Sequence, residues 1–296
     1  MRLIDLNVFA EKSAREFAAG RSAPSLTDAW ALRAFAALYQ ADGKPQFRET
    51  VLSWLEKRVS RDGKIDLPMG DGGGYKKEAL GAAILFADRE TQDARYRLAA
   101  DQLMETAGNI PSGQIDESTA AFSMEEAFLL MPFRAEYDAR LGTKQLARFI
   151  AARFLSCRKA LTLESLPLPI LGLYLSALSD TLEKMEIQLY EHYRALADLL
   201  TEAAGLALRR WEAQSGLLDA PPQNAPALGG CALTAYALMK GVRLGALDEE
   251  KYLKKAQLAF GRLMDILPDG ADDPQGKKAK YACLMALAEE GRAQKE

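Results

Sequence analysis

The chain has 296 residues, of which 49% are hydrophobic and 27% are charged, and its formal net charge is −3. This composition provides enough apolar residues for a substantial core and excludes a disordered or fibrous chain. A mildly acidic sequence without a long basic block also argues against nucleic acid or an anionic membrane surface as a partner.

Helical spacing of apolar residues runs through almost the whole sequence, and no alternating pattern typical of a strand is convincing. Breaks at clusters of Gly, Pro and Asp divide the chain into about twelve predicted helices. In chain order, their approximate spans are 2–18, 25–41, 45–60, 75–88, 91–107, 120–141, 144–160, 165–181, 186–214, 228–244, 248–267 and 276–291.

Odd-numbered and even-numbered helices differ in how their apolar residues are distributed. The third helix carries one apolar stripe, which contains Phe47, Val51 and Leu55, and its other faces are charged. A single stripe is typical of a helix that is covered on one side. Even-numbered helices, such as those containing 79–87 and 127–133, are apolar nearly all round. We therefore expect the even-numbered helices to be buried on every side.

The loops alternate in length as well. Connections out of even-numbered helices are short, whereas most connections into them are long: 61–74, 108–119, 215–228 and 268–276. Six inner helices alternating with six outer helices is the plan of an (α/α)6 toroid. The sequence thus predicts an all-α fold in which residues 1–296 form one domain. Loops longer than a connection needs tend to carry function, so we expect a site at the end of the barrel where they lie.

Two carboxylates stand at the start of the sixth helix. Ser123 and Glu126 fit a capping box, in which the serine caps the helix and the glutamate bonds back to its backbone N–H. This structural role accounts for Glu126 but not for Glu125. Because Glu125 begins an inner helix at the expected mouth, it is a candidate for catalysis or substrate binding. A favourable interaction with the helix dipole is the alternative.

Two other loops carry weaker signals. The glycine-rich stretch 70–77 lacks the spacing of a phosphate-binding loop, so it is interpreted as a flexible loop at the mouth. The acidic stretch 269–278 has Pro274 where a calcium-binding EF-hand needs glycine. By position alone, Asp272 and Asp273 remain candidates to face the cavity.

The sequence favours neither a metal site nor a secreted protein. Its only histidine, His192, falls on an outer helix, and the three cysteines, Cys157, Cys231 and Cys283, are scattered in apolar stretches. We therefore expect no metal, no other cofactor and no disulfide framework. Asp5 interrupts what would be the apolar part of a signal peptide, and the uncharged stretch 165–179 is too short to span a membrane. These features predict a soluble, cytoplasmic protein with no membrane partner.

One stretch resembles a known family. Residues 229–260, GGCALTAYALMKGVRLGALDEEKYLKKAQLAF, are similar to a helix pair of the unsaturated glucuronyl and rhamnogalacturonyl hydrolases, glycoside hydrolase families 88 and 105. Residues 125–142 and 272–289 resemble two further helices of that family. The resemblance implies an (α/α)6 barrel. It also implies a reaction without metal or cofactor, in which a carboxylic acid protonates the C4=C5 bond of an unsaturated uronic acid and water adds at C5.

The resemblance places Glu125 at the family's catalytic aspartate and Ser123 at the tryptophan two residues before it. Near the second family aspartate this chain has Lys77, Glu78 and Ala79. The family's platform of tryptophan, arginine and glycine before the eighth helix is replaced by the sequence LPLP at 166–169.

Two functional hypotheses follow. In the first, the protein hydrolyses a short unsaturated oligosaccharide, with Glu125 as general acid and base. Glu78 or an aspartate of the pair 272–273 would assist, and three aromatic residues would stack on sugar: Trp30, Tyr75 and Tyr281. In the second, the protein has lost catalysis and serves as a sugar-binding or protein-interaction module. The missing platform favours the second hypothesis, and the retained acid favours the first.

Overall fold

The structure is a computed structural model. It describes residues 3–20, 24–67, 77–106, 120–142, 145–185, 190–212, 216–218, 224–266 and 273–293. Twelve α-helices lie within these ranges: α1 (Leu3–Ala19), α2 (Leu26–Asp42), α3 (Pro45–Glu56), α4 (Gly81–Thr91), α5 (Ala94–Thr106), α6 (Ala120–Arg140), α7 (Leu146–Ala160), α8 (Leu168–Lys184), α9 (Tyr190–Arg209), α10 (Ala225–Arg243), α11 (Glu249–Ile266) and α12 (Pro274–Ala293). Short strands β1 (Trp211–Glu212) and β2 (Leu217–Leu218) pair antiparallel.

The even-numbered helices form a closed inner ring. Around this ring α2 contacts α4, α4 contacts α6, α6 contacts α8, α8 contacts α10, α10 contacts α12, and α12 returns to α2. Odd-numbered helices pack outside; α11, for example, contacts α10 and α12. This arrangement is the (α/α)6 toroid that the apolar pattern predicts.

Burial follows the predicted alternation. On inner helix α10, every residue from 230 to 241 is buried. On outer helix α11, the buried residues form one stripe that includes Tyr252, Ala256, Phe260 and Leu263. A helix covered on all sides must be apolar all round, whereas one that borders solvent needs only one apolar face.

Two glycines allow inner helices α8 and α10 to approach closely. A Cβ atom on Gly172 of α8 would lie 2.5 Å from the carbonyl oxygen of Gly230. A Cβ atom on Gly230 of α10 would lie 2.7 Å from the backbone of Leu168. Because the obstructing atoms are backbone, a larger residue at either position would force the helices apart.

A network of charges connects the C-terminal halves of inner helices α8 and α10 to the middle of α2. Asp180 of α8 accepts hydrogen bonds from Arg33 of α2 and from Tyr236 and Lys240 of α10, with the lysine at 2.6 Å. Lys240 also lies 2.8 Å from Glu183. This network links three inner helices, α2, α8 and α10.

A second group of charges extends the network to α12. Arg243 of α10 donates to Glu183 and to Glu289, the latter at 2.7 Å. Arg292 of α12 also donates to Glu289, at 2.8 Å. Because cations near helix C-termini interact favourably with the helix dipoles, the basic residues suit this end of the ring.

The structure describes all three cysteines of the sequence. Cys157, Cys231 and Cys283 are buried thiols that are not joined in disulfides, as expected of cysteines in a core. Burial raises the pKa of Cys157 to about 11 and that of Cys283 to about 12.

Within the described residues, no helix is sufficiently long and apolar to cross a bilayer.

Candidate functional site

Three inner helices meet at the carboxylate of Glu125, near the start of α6. Its Oε1 accepts a hydrogen bond of 2.9 Å from the indole N–H of Trp30, on α2. The same oxygen lies 2.6 Å from Nζ of Lys278, in the first turns of α12. Since α4 lies between α2 and α6 in the ring, the bond between Trp30 and Glu125 crosses the inside of the barrel.

The two charged partners remain reachable from solvent, whereas the indole does not. The side chains of Glu125 and Lys278 are 17% and 19% exposed. Trp30 is 4% exposed, and its ring centroid lies 4.7 Å from that of Phe128. Nζ of Lys278 also lies 5.7 Å from the ring of Trp30, within the range of a cation–π contact. The site is therefore an accessible ion pair supported by a buried aromatic pair.

Trp30 has a different environment from the one predicted. We expected its ring to stack on sugar, but both its burial and its N–H bond tie it to the protein. This placement makes Trp30 a residue that orients Glu125, since a buried ring presents little surface to a ligand.

The predicted capping box at Ser123 and Glu126 is wrong. The helix α6 begins at Ala120, so the backbone of Ser123 lies inside the helix and not at its N-cap. Glu126 is half-buried, and its negative charge contributes to a raised pKa of Glu78. Glu126 thus acts on the neighbouring carboxylate through its charge.

Glu78 is held in a buried ion pair, apart from Glu125. It is 7% exposed, and its Oε1 accepts two hydrogen bonds from the guanidinium of Arg134, one from Nε at 2.6 Å. Burial raises the pKa of Glu78, and the charge of Arg134 partly offsets this effect. No hydrogen bond or ion pair joins Glu78 to Glu125 in the described structure. The predicted role of Glu78 as an assisting catalytic group therefore has no contact to support it.

Two of the remaining candidates have structural partners. Tyr281 is 7% exposed and packs edge-on against Phe17 and Phe35, at centroid distances of 6.3 and 6.1 Å. A ring packed in this way argues against the predicted stacking on sugar.

Oδ1 of Asp273 accepts hydrogen bonds from the backbone N–H groups of Gln275 and Gly276, at 2.9 and 3.1 Å. Asp273 therefore caps α12. Tyr75 and Asp272 lie outside the described residues.

Lys278 is the site residue that sequence reasoning missed. The Lys277–Lys278 pair is too short to form a basic patch that would bind nucleic acid. The available signal was the position of Lys278 in the first turns of an inner helix, whose buried residues are mostly apolar. Such a charge needs a partner inside the ring.

Within the residues that the structure describes, no group of three or more His, Cys, Asp or Glu side chains is arranged to hold a metal ion.

A pocket also opens beside the buried charge network, between α2, α4, α6, α8 and α10. Its charged lining residues are paired with one another: Arg33 and Lys240 with Asp180, and Arg89 and Lys184 with Glu136. We interpret these groups as structural.

No protein-family model matches the sequence, and neither does any curated protein. Solved structures do match. A glycoside hydrolase from family 105 of C. acetobutylicum superposes with a TM-score of 0.73 at 18% identity, over 89% of this chain and 92% of that one. A possible member of family 105 from Klebsiella pneumoniae gives a TM-score of 0.73 at 14% identity, over 99% of this chain and 94% of that one. A polysaccharide lyase gives 0.69 at 16% identity, over 93% and 92%. At such identities the likeness establishes the fold, and a fold hosts more than one chemistry.

Proposed function

We propose that the protein is a glycoside hydrolase acting on a short oligosaccharide that ends in an unsaturated uronic acid, with Glu125 as general acid and base. The observation that carries this proposal is the placement of Glu125. Its carboxylate lies inside the barrel, is reachable from solvent and is oriented by the N–H of Trp30. The fold shared with glycoside hydrolases supports the reaction class.

In the proposed reaction the carboxyl group of Glu125 donates its proton to C4 of the C4=C5 double bond. A water molecule adds its oxygen to C5 and returns a proton to the carboxylate. The resulting hemiketal opens and releases the next sugar. One carboxyl group both gives and takes the proton, so a second acid beside it is not required. The separation of Glu78 from Glu125 is compatible with this scheme.

A second candidate function is a barrel that binds sugar, or another protein, without catalysis. The observation that favours it is that the other candidate carboxylates already have partners in the protein. Glu78 is paired with Arg134, and Asp273 caps a helix. Glu125 itself is paired with Lys278, and a paired carboxylate must first gain a proton to act as an acid.

Incubation with a panel of unsaturated disaccharides tests the proposal, because hydration of the conjugated double bond removes its ultraviolet absorbance. We expect loss of absorbance with at least one member of the panel. Binding without loss of absorbance would favour the non-catalytic module. If no member is either bound or turned over, both sugar-directed functions are wrong.

A further inference from the structure

Lys278 has one anionic partner, and that partner is the proposed acid. Among the described residues, the only carboxylate within ion-pair distance of its Nζ is Glu125, at 2.6 Å. Its other described contact is the ring of Trp30. An ammonium group has three donors, so Lys278 can accommodate another acceptor. Its 19% exposed side chain makes it reachable by a ligand.

The other charges on the helices around this pair are engaged elsewhere. On α2, the carboxylate of Asp28 accepts a hydrogen bond from the backbone N–H of Ser25. The charge of Lys277, on α12, favours the ionised form of Asp28. On α6, the charge of Glu126 acts on Glu78, which is paired with Arg134. Lys278 is therefore the cation in contact with Glu125 within the described part of the chain.

We propose that Lys278 exchanges partners when an acidic sugar binds. The carboxylate of the sugar takes the place of Glu125 on the ammonium group, and the released Glu125 takes up one proton from solvent. No covalent bond changes in this step apart from the new O–H bond on Glu125. The inference rests on the proposed function for its ligand class, and it assigns to Lys278 the recognition of the ligand's charge.

The physical reason is that exchange removes a cation from Glu125 and brings a second carboxylate close to it. Both changes favour the neutral form of a carboxyl group. The hydrogen bond from Trp30 to Oε1 does not depend on Lys278, so the orientation of the acid is retained. Ligand charge thereby prepares the proton donor, and a neutral sugar leaves Glu125 paired. Lys278 is thus a specificity-determining residue.

Proton uptake on binding tests the exchange directly. The probe is saturated glucuronate, which has no C4=C5 bond to hydrate, with glucose as the neutral comparison. Calorimetric titration near neutral pH, in two buffers of different ionisation enthalpy, counts the protons taken up. For the unmodified protein we expect net proton uptake when glucuronate binds and none when glucose binds, since only the acidic ligand displaces Glu125 from Lys278. The Glu125→Gln variant should show none.

Affinities give a second, independent readout. Glu125→Gln should bind glucuronate several-fold more tightly than the unmodified protein, because the internal competitor for Lys278 is gone. Lys278→Met should lose the preference for glucuronate over glucose, with glucuronate bound roughly tenfold or more weakly. Lys278→Arg keeps the charge and should retain much of the preference. Lys277→Met, the matched control one residue away, should leave uptake and preference unchanged.

Three results would overturn the inference: glucuronate binding without proton uptake, weaker binding by Glu125→Gln, or no binding of glucuronate by the folded, unmodified protein. Thermal unfolding of each variant shows whether it is folded. Turnover is a separate measurement. A protein that hydrates unsaturated disaccharides without proton uptake on binding keeps the proposed function and loses the exchange. A protein that shows the exchange but does not hydrate any unsaturated disaccharide keeps the exchange and loses the proposed catalytic function.

Discussion

The indole N–H of Trp30 and the carboxylate of Glu125 form a hydrogen bond of 2.9 Å between residues that are 95 positions apart in the chain. The bond joins helices α2 and α6 across the inside of the ring. A proton donor is effective only when it is held in line with the atom it protonates, so the orientation given by Trp30 matters as much as the presence of the acid.

The first prediction concerns Glu125 and its neighbour. Glu125→Gln should lower turnover of any accepted unsaturated disaccharide by roughly 10²–10⁴-fold, the usual range for loss of general acid catalysis. The amide cannot pair with Lys278 as a charge, so the free energy of unfolding should also fall by about 1 kcal/mol, between the values for exposed and buried pairs. Steady-state kinetics and urea denaturation measure the two effects.

Glu126→Gln is the matched control, because it makes the same substitution at the next residue of α6. It should keep turnover within about a factor of two, since Glu126 has no assigned part in the proton transfer. Equal turnover in both variants would show that Glu125 is not the proton donor.

The second prediction concerns the ion pair between Glu78 and Arg134. Either Glu78→Met or Arg134→Met should reduce the free energy of unfolding by roughly 3–5 kcal/mol, because each leaves a buried charge without its partner. The double variant should be more stable than the sum of the two losses predicts, by about 1–3 kcal/mol. A double-mutant cycle in urea measures this coupling, and strict additivity would contradict the pairing.

The Arg134→Met variant also has a distinctive pH dependence. Burial already raises the pKa of Glu78, and loss of the guanidinium raises it further. A carboxyl group with a raised pKa in the folded state binds its proton more tightly there than in the unfolded chain. Its contribution to stability is therefore lost as pH rises through the window between the two values. Relative to the parent protein, Arg134→Met should recover stability as pH falls from neutral.

The third prediction concerns the buried charge network. Burial opposes ionisation of Glu183, but the charges of Lys240, Lys184 and Arg243 outweigh it and hold the pKa of Glu183 well below its ordinary value of 4.5. A depressed pKa gives stability that is present above the unfolded value and lost as pH falls from about 4.5 through the folded pKa. Glu183 should therefore contribute to acid denaturation of the protein.

Lys240→Met removes the partner that lowers the pKa of Glu183 most. The variant should lose roughly 3–5 kcal/mol of stability at neutral pH, because the buried charge of Asp180 and the half-buried charge of Glu183 lose their shared cation. Its stability should then fall less steeply below pH 4.5. Lys255→Met, at an exposed position of α11, is the control and should follow the parent curve. Urea denaturation across the acid range gives both curves, and an unchanged acid slope in Lys240→Met would contradict the linkage.

The fourth prediction concerns the close approach of α8 and α10. Gly230→Ala places a methyl group 2.7 Å from the backbone of Leu168, so it should destabilise the protein by roughly 1–3 kcal/mol. Gly205→Ala, inside α9 near its C-terminal end, places the new methyl group more than 4 Å from any atom outside the adjoining backbone of the helix. It should instead stabilise by about 0.5–1 kcal/mol, because alanine favours helix over glycine. Thermal unfolding measures both, and the opposite signs are the test.

The fold can be predicted from the sequence because, in this architecture, the apolar pattern of each helix shows how many of its faces are buried. The single stripe of α11 and the continuous burial of 230–241 on α10 are both visible as residue patterns. The residues at which helices begin and end are harder to predict from the sequence. The predicted fourth helix, 75–88, is divided in the structure: Lys77 and Glu78 are helical, residues 79–80 form a turn, and α4 follows from Gly81 to Thr91.

The site is harder to predict for a physical reason. The position of Glu125 at the start of an inner helix follows from the helix pattern, but its partners do not. Whether Trp30 and Lys278 reach it depends on how the ring closes, which no local spacing encodes. Similarly, only tertiary packing decides that Tyr281 lies against Phe17 and Phe35 instead of facing a cavity.

Ring closure between α2 and α12 has a consequence for the order of events during synthesis. The ribosome makes Trp30 first, then Glu125, and Lys278 after both. A nascent chain that has already completed α6 still lacks the cation of its carboxylate. The ion pair between Glu125 and Lys278 can form only after α12 has emerged and docked beside α2. A polypeptide released before that point would carry the acid without the lysine, so the site and the closed barrel are acquired in the same late step.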